Sequence, residues 1–391
     1  MKHAILLALS IGSNVGAQSV TVPLILEGNA PIVEVLVRHG DHARTARFLI
    51  DTGGGALMIG SNVMSDLAVP PAGPEIKEGG DLLVPLRNLT CDIGGLQLDL
   101  KDVRIFGTPG RVRIMARNLV EGMVPASILR KYRVILNYPS RLFTLATSKS
   151  QPRGIQLDTP IAATSGFPRI EVEISGKKYG FLLDTGASFT MVSQSVLDGW
   201  TEQHPEWSTA RGSTGFANMF GGAMENAGLM LRVPEMKIGK FSQRDAAVVS
   251  RPPGTFEKWM SSMMSAPIIG ALAGNVLRDF RVEIDYPHGA TYLERSQESR
   301  DTDLISVGLV LSIAENGDPI VTGMSSRAAE IVKHLVHTND RLIAVGGRKV
   351  NGEPLAVIAG LLSGKEDTSV TLTILRGDEQ VNLTLPAKRL L

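Results

Sequence analysis

A single cysteine, Cys91, occurs in 391 residues, so no internal disulfide can form and the fold must rest on its apolar core. Neither charge sign dominates: forty basic against thirty-nine acidic residues leave a formal charge of +1, and no long run of one sign is present to attract a phosphate backbone. Nucleic acid is therefore not an expected partner. After the first residues no segment approaches the roughly 18 consecutive apolar residues of a spanning helix, so no stable membrane span is expected. No phosphate loop or metalloprotease helix pattern occurs, and His334 with His337, or His39 with His42, lack a third ligand nearby, so no metal or cofactor is implied.

What the chain has in quantity is apolar residues, 43%, together with 41 glycines and 21 prolines, the composition of a turn-rich globular protein large enough for two or three domains. Residues 1–17, "MKHAILLALSIGSNVGA", join a basic start to a short apolar stretch and end on small residues, the pattern of a signal peptide cut near Ala17. Export without disulfides favours a bacterial periplasm or secretion.

An internal repeat divides the rest. "LRKYRVILNYP" from Leu129 and "LRDFRVEIDYP" from Leu277 match at a shift of 277 − 129 = 148 residues. Each closes a segment that opens on an apolar strand, at Pro31 or Pro168, and then reaches Asp-Thr-Gly. Short, often alternating apolar runs between Gly, Pro, Asn and Asp predict strands and turns with few helices. The expected division is residues 18–148 and 149–296 as duplicated lobes, and 303–391 as a third region after a polar run.

The dipeptide Asp-Thr occurs five times, but only Asp51 and Asp184 have both an apolar strand before them and glycine after the threonine. Two carboxylates brought within hydrogen-bonding distance do not both ionise cheaply; one keeps a proton and the other acts as a base. Such a pair can deprotonate water and protonate a carbonyl oxygen. Gly53 and Gly186 would let two backbones approach, and Thr52 and Thr185 offer hydroxyls able to bridge between lobes.

On these motifs, roughly Pro31 to Leu293 resembles the pepsin and retropepsin clan of aspartic proteases, as a bacterial protein with both lobes on one chain. The resemblance implies an all-β, bilobal acid-protease fold, Asp51 and Asp184 as the catalytic pair, Thr52 and Thr185 as an inter-lobe grip, and a glycine-tipped hairpin closing over a peptide. The clan has an apolar-apolar-Gly triplet crossing behind each aspartate. One register here gives Met123-Val124-Pro125 and Ala271-Leu272-Ala273, without glycine; the other gives Val120-Glu121-Gly122 and Ile268-Ile269-Gly270. For the closing hairpin, Arg211 to Gly228 offers Phe216, Phe220, Gly221 and Gly222, and Glu75 to Leu83 is a shorter alternative. The serine or threonine that often follows Asp-Thr-Gly is replaced by Gly54 and Ala187.

From about Asp303 the order of strands and two short helices resembles a PDZ domain, with Val307, Gly308 and Leu309 at its carboxylate-binding loop. That resemblance implies recruitment of a polypeptide by its C-terminus. Because both aspartates and both repeat copies end before Leu293, deletion of residues 303–391 is expected to leave the lobes folded. The reading that unites these features is an aspartic endopeptidase acting on polypeptide; the alternative is a peptide-binding module that keeps the cleft without turnover.

Overall fold

The computed structural model describes residues 19–78, 81–108, 120–147, 151–295, 304–314 and 316–391. The expected signal peptide, Gly79, Gly80 and the polar run 296–303 lie outside the described residues. The architecture is predominantly β, as the short alternating runs predict. In Arg169–Ile174, for example, Ile170, Val172 and Ile174 are buried while Glu171 is exposed, the period-two alternation of a half-buried strand. Its hairpin to Lys177–Leu183 turns on Ser175 and Gly176, both at positive φ, the conformation that matches the twist of paired strands.

Two sheets carry the two Asp-Thr-Gly motifs. In the ten-stranded first sheet, Ala30–His39 and His42–Asp51 form a long hairpin, and Gly122–Pro125 runs parallel to the second of these strands. In the seven-stranded second sheet, Lys177–Leu183 takes the corresponding place, and Gly270–Leu272 runs parallel to it. A third, six-stranded sheet joins strands from both halves of the sequence. At its centre Arg133–Asn137 pairs antiparallel with Phe280–Asp285, with Arg133 opposite Asp285, Ile135 opposite Glu283 and Asn137 opposite Arg281. Because the repeat shift equates Ile135 with Glu283, this register is its own image about a two-fold axis through that pair. The buried Glu283 accepts from Arg133 and pairs with Arg281 as well.

The C-terminal region builds a further sheet from Leu309–Ile313, Pro319–Met324, Arg341–Val345, Ser369–Arg376 and Glu379–Pro386, over which lie the helices Glu330–Leu335 and Leu355–Leu362. It has a core of its own, including Val321, Ile358, Leu372 and Leu385. It does not stand apart, however: Leu304 and Leu391 are buried in the cluster that lines the second sheet, and Arg232 donates to the Leu391 carbonyl at 3.0 Å. These contacts tie the region to the second sheet, and removing it would expose them. Among the described residues no helix is long and apolar enough to cross a membrane.

Candidate active site

Asp51 is the last residue of strand His42–Asp51, and Asp184 directly follows Lys177–Leu183, with its amide donating to the Leu272 carbonyl at 2.9 Å. Each strand therefore delivers its aspartate at the same point of its sheet. The two turns that follow interlock. The Thr52 amide donates to Thr185 Oγ1 at 3.2 Å, and the Thr185 amide donates to Thr52 Oγ1 at 3.0 Å. Each hydroxyl then donates onward across the junction, Thr52 to the Leu183 carbonyl at 2.6 Å and Thr185 to the Ile50 carbonyl at 2.7 Å. Both threonines are fully buried, so these four bonds are shielded from water.

The glycines explain how close the turns come. A Cβ on Gly186 would lie 2.4 Å from the Asp51 carboxyl carbon, and one on Gly53 would lie 3.1 Å from that of Asp184. Each Asp-Thr-Gly glycine thus lies against the carboxylate of the other motif. Backbone donors meet both carboxylates, the Gly53 amide on Asp51 Oδ1 at 2.8 Å and the Ala187 amide on Asp184 Oδ1 at 3.2 Å. Gly54 has no room for the side chain often found there, since its Cβ would come within 2.8 Å of Asp51 Oδ2 and 3.0 Å of the Met123 methyl.

Strand pairing decides between the two triplet registers. Pro125 pairs opposite Asp51, and Leu272 opposite Leu183, so Met123-Val124-Pro125 and Ala271-Leu272-Ala273 are the segments that run behind the aspartates. Gly122 and Gly270 open these strands, where Phe48 and Phe181 occupy the space a Cβ would need.

The proposed covering hairpin at Arg211 to Gly228 takes another form. Its middle is a 3-10 turn, Gly215–Ala217, followed by a short helix, Ala223–Ala227. The Glu225–Arg251 ion pair, buried and 3.2 Å long, holds its shape, with Glu225 accepting the Phe220 amide and Arg251 stacked on the Phe220 ring. Phe216 and Phe220 are partly buried against the second-sheet cluster, and Gly221 and Gly222 adopt positive φ. The shorter alternative does form a hairpin, Ile76–Glu78 paired antiparallel with Asp81–Pro85.

The loop expected to capture a carboxylate is engaged internally. The Val307 amide donates to the Leu362 carbonyl at 3.2 Å and the Gly308 amide to Ser306 Oγ at 3.3 Å, while Leu309 pairs with Met324. Among the described residues no cluster of His, Cys, Asp or Glu suited to a metal ion is present.

Two features escaped sequence reasoning. Tyr138 and Tyr286 are equivalent in the repeat, both buried, and their hydroxyls have no hydrogen-bond partner. Burial pushes both phenols well above their ordinary range, reinforced by Asp184 for Tyr138 and by Asp51 for Tyr286, so each senses the aspartate of the other repeat copy. The recurring Tyr-Pro was the available signal. The second is a polar knot behind Asp184, where Asn275 Oδ1 accepts from the Thr190 amide and hydroxyl at 2.7 and 2.8 Å. Nothing in the first motif announces it, because Leu57 and Ser127 stand at the equivalent positions.

No curated protein matches the chain. Among solved structures, the photosystem II D1 C-terminal processing protease aligns at 22% identity over 22% of this chain and 24% of that one, with a TM-score of 0.20. The alignment thus spans about a quarter of that protein, too little overlap to carry an argument about the fold. Residues 170–271, which run from the second sheet's first strand through Asp184 to Ala271, match the family described as aspartyl protease, and it is to aspartyl proteases that this part of the chain is similar.

Proposed function

We propose that this chain is an aspartic endopeptidase, with Asp51 and Asp184 sharing one proton and residues 18–148 and 149–296 as its lobes. The observation that carries the reading is the mutual approach of the two turns, in which Gly186 lies against Asp51 and Gly53 against Asp184. Glycine at both places has a clear reason only if the two carboxylates must meet.

In the proposed reaction the ionised aspartate takes a proton from a water, whose oxygen forms a bond to the scissile carbonyl carbon. The protonated aspartate gives its proton to the carbonyl oxygen. Collapse of the resulting gem-diol breaks the C–N bond as the amine nitrogen receives the proton of the protonated aspartate, while a gem-diol hydroxyl gives its proton to the ionised one, so the products are a carboxylic acid and an amine and the pair is again singly protonated. The similarity of residues 170–271 to aspartyl proteases supports hydrolase chemistry on polypeptide. The hairpin Ile76–Glu78 and Asp81–Pro85 is the segment proposed to cover substrate, and export is proposed from residues 1–17.

The test is cleavage of an unfolded protein across pH by the full chain, beside Asp51→Asn and Asp184→Asn. Each substitution is expected to lower kcat/KM by at least about a thousand-fold, a loss of about 4 kcal/mol of transition-state stabilisation. Cleavage that persists in both variants would remove the pair from the mechanism. Peptide binding without cleavage by the unsubstituted chain would favour the non-catalytic binding module.

A further inference from the structure

Among the described residues, strand Leu309–Ile313 is the outer edge of the C-terminal sheet and pairs on one side only, with Pro319–Met324. Helix Leu355–Leu362 packs beside it. An open strand edge next to a helix is a geometry that accepts a peptide segment, because the edge carbonyls and amides need partners. Here the partner comes from the same chain. Asn218, buried, donates from Nδ2 to the Leu311 carbonyl at 2.7 Å and accepts the Gly221 amide on its own oxygen at 3.1 Å. Gly221 lies between the two elements: a Cβ on it would be 3.4 Å from Ser312 Cα and 3.5 Å from a Leu355 methyl. Phe216 reaches the helix near Ala356, both of them about 3 Å from where a Cβ on Gly28 would be.

We propose that Gly215–Gly221 is the internal occupant of a peptide-binding groove. An external polypeptide enters only by expelling it, and the exchange is transmitted to the residues flanking Asp184. The transmission has a physical route, since Ala217 and Met219 of the same loop are fully buried in one cluster with Leu182, Ala187 and Phe189. A segment that leaves the groove withdraws packing from both sides of the aspartate. The groove's two states and their effect on that cluster are reciprocal: whatever tightens the cluster disfavours the external peptide by the same factor. A tethered occupant acts at an effective concentration of order millimolar, so the resting chain excludes weak ligands. The consequence for hydrolysis rests on the proposed function, whereas the occupancy of the groove does not.

The probe is a fluorescein-labelled synthetic peptide with the sequence of residues 213–222, STGFANMFGG, added to the full chain carrying Asp51→Asn so that it is not cut. The expected result is binding at least about ten-fold tighter to a chain in which 215–221 is replaced by a Gly-Ser segment of equal length than to the chain with its own loop. Asn218→Ala, which removes the bond to Leu311 and the one from the Gly221 amide, is expected to fall between them and serves where the replacement fails to fold. Adding Ala356→Trp to the Asn218→Ala chain should abolish the gain. Equal binding with and without the native loop, no binding to any of these chains, or binding that survives Ala356→Trp would each overturn the assignment. Transmission is read separately by hydrogen exchange of the amides from Leu182 to Phe189, which should speed up about ten-fold or more when the probe binds to the Asn218→Ala chain. Unchanged exchange would sink the coupling whatever the activity of the enzyme.

Discussion

Thr52 and Thr185 are each other's hydrogen-bond donor and acceptor: the amide of each gives to the hydroxyl of the other, across 133 residues of sequence. Removing either hydroxyl leaves a buried amide and a buried carbonyl without their partner, so Thr52→Ala or Thr185→Ala should cost about 1–3 kcal/mol. Thr52→Ser keeps the hydroxyl and should stay close to the parent. Urea unfolding midpoints check both. A serine variant as unstable as the alanine one would show that the methyl group's packing, and not the bond, matters.

The hydroxyls of Tyr138 and Tyr286 are buried with no protein partner among the described residues, so their desolvation is not offset by a protein hydrogen bond there. Tyr138→Phe and Tyr286→Phe should therefore leave stability unchanged or raise it by up to about 1 kcal/mol. Calorimetry of the two variants is the measurement, and a loss beyond about 1 kcal/mol would reveal a bound water or a bond to the aspartates.

Burial pushes the Cys91 thiol up to about 12, so almost no thiolate exists at neutral pH, and the side chain is inaccessible. Alkylation by iodoacetamide at about pH 8 should be negligible in the folded chain and complete in urea. Rapid native labelling would mean that the strand Thr90–Ile93 opens locally.

In the C-terminal region burial opposes ionisation of Asp340, but hydrogen bonds from Arg376 at 2.8 and 2.9 Å and from the His337 amide outweigh it and hold the carboxyl below its usual range. A folded pKa below the unfolded one contributes stability that is present above the unfolded value, about 3.9, and is lost as pH falls through the folded value. Stability of the parent relative to Asp340→Asn should therefore shrink between about pH 6 and pH 2. A difference independent of pH over that range would show that shape, not charge, sets the cost.

The duplicated motifs made the two strands and the two turns that follow them legible, because each rests on local pattern: an apolar run, then Asp-Thr-Gly. The register behind the aspartates was not legible, since both registers carry similar apolar residues and only the pairing of Pro125 with Asp51 decides it. The segment 211–228 misled for a related reason. Its glycines and phenylalanines fit a hairpin tip, but the buried Glu225–Arg251 pair and the bond from Asn218 to Leu311 join residues distant in sequence and fold it into turns. The C-terminal strand order could be read from its runs, whereas its contact with the second sheet through Leu304 and Leu391 depends on tertiary packing alone.

The pair at the centre of the six-stranded sheet, Ile135 opposite Glu283, sets an apolar residue of one repeat copy against an acidic residue of the other. Two copies of the first half, joined about the same axis, would set Ile135 against a second Ile135 and each Arg133 opposite the other copy's Asn137, and the segment Leu129 to Pro139 contains no acidic residue to receive either guanidinium. Burying two unmatched cations is costly enough to forbid that assembly. A homodimer of identical first halves is thus closed to the present sequence: the first half depends on the acidic residue that only the second half supplies.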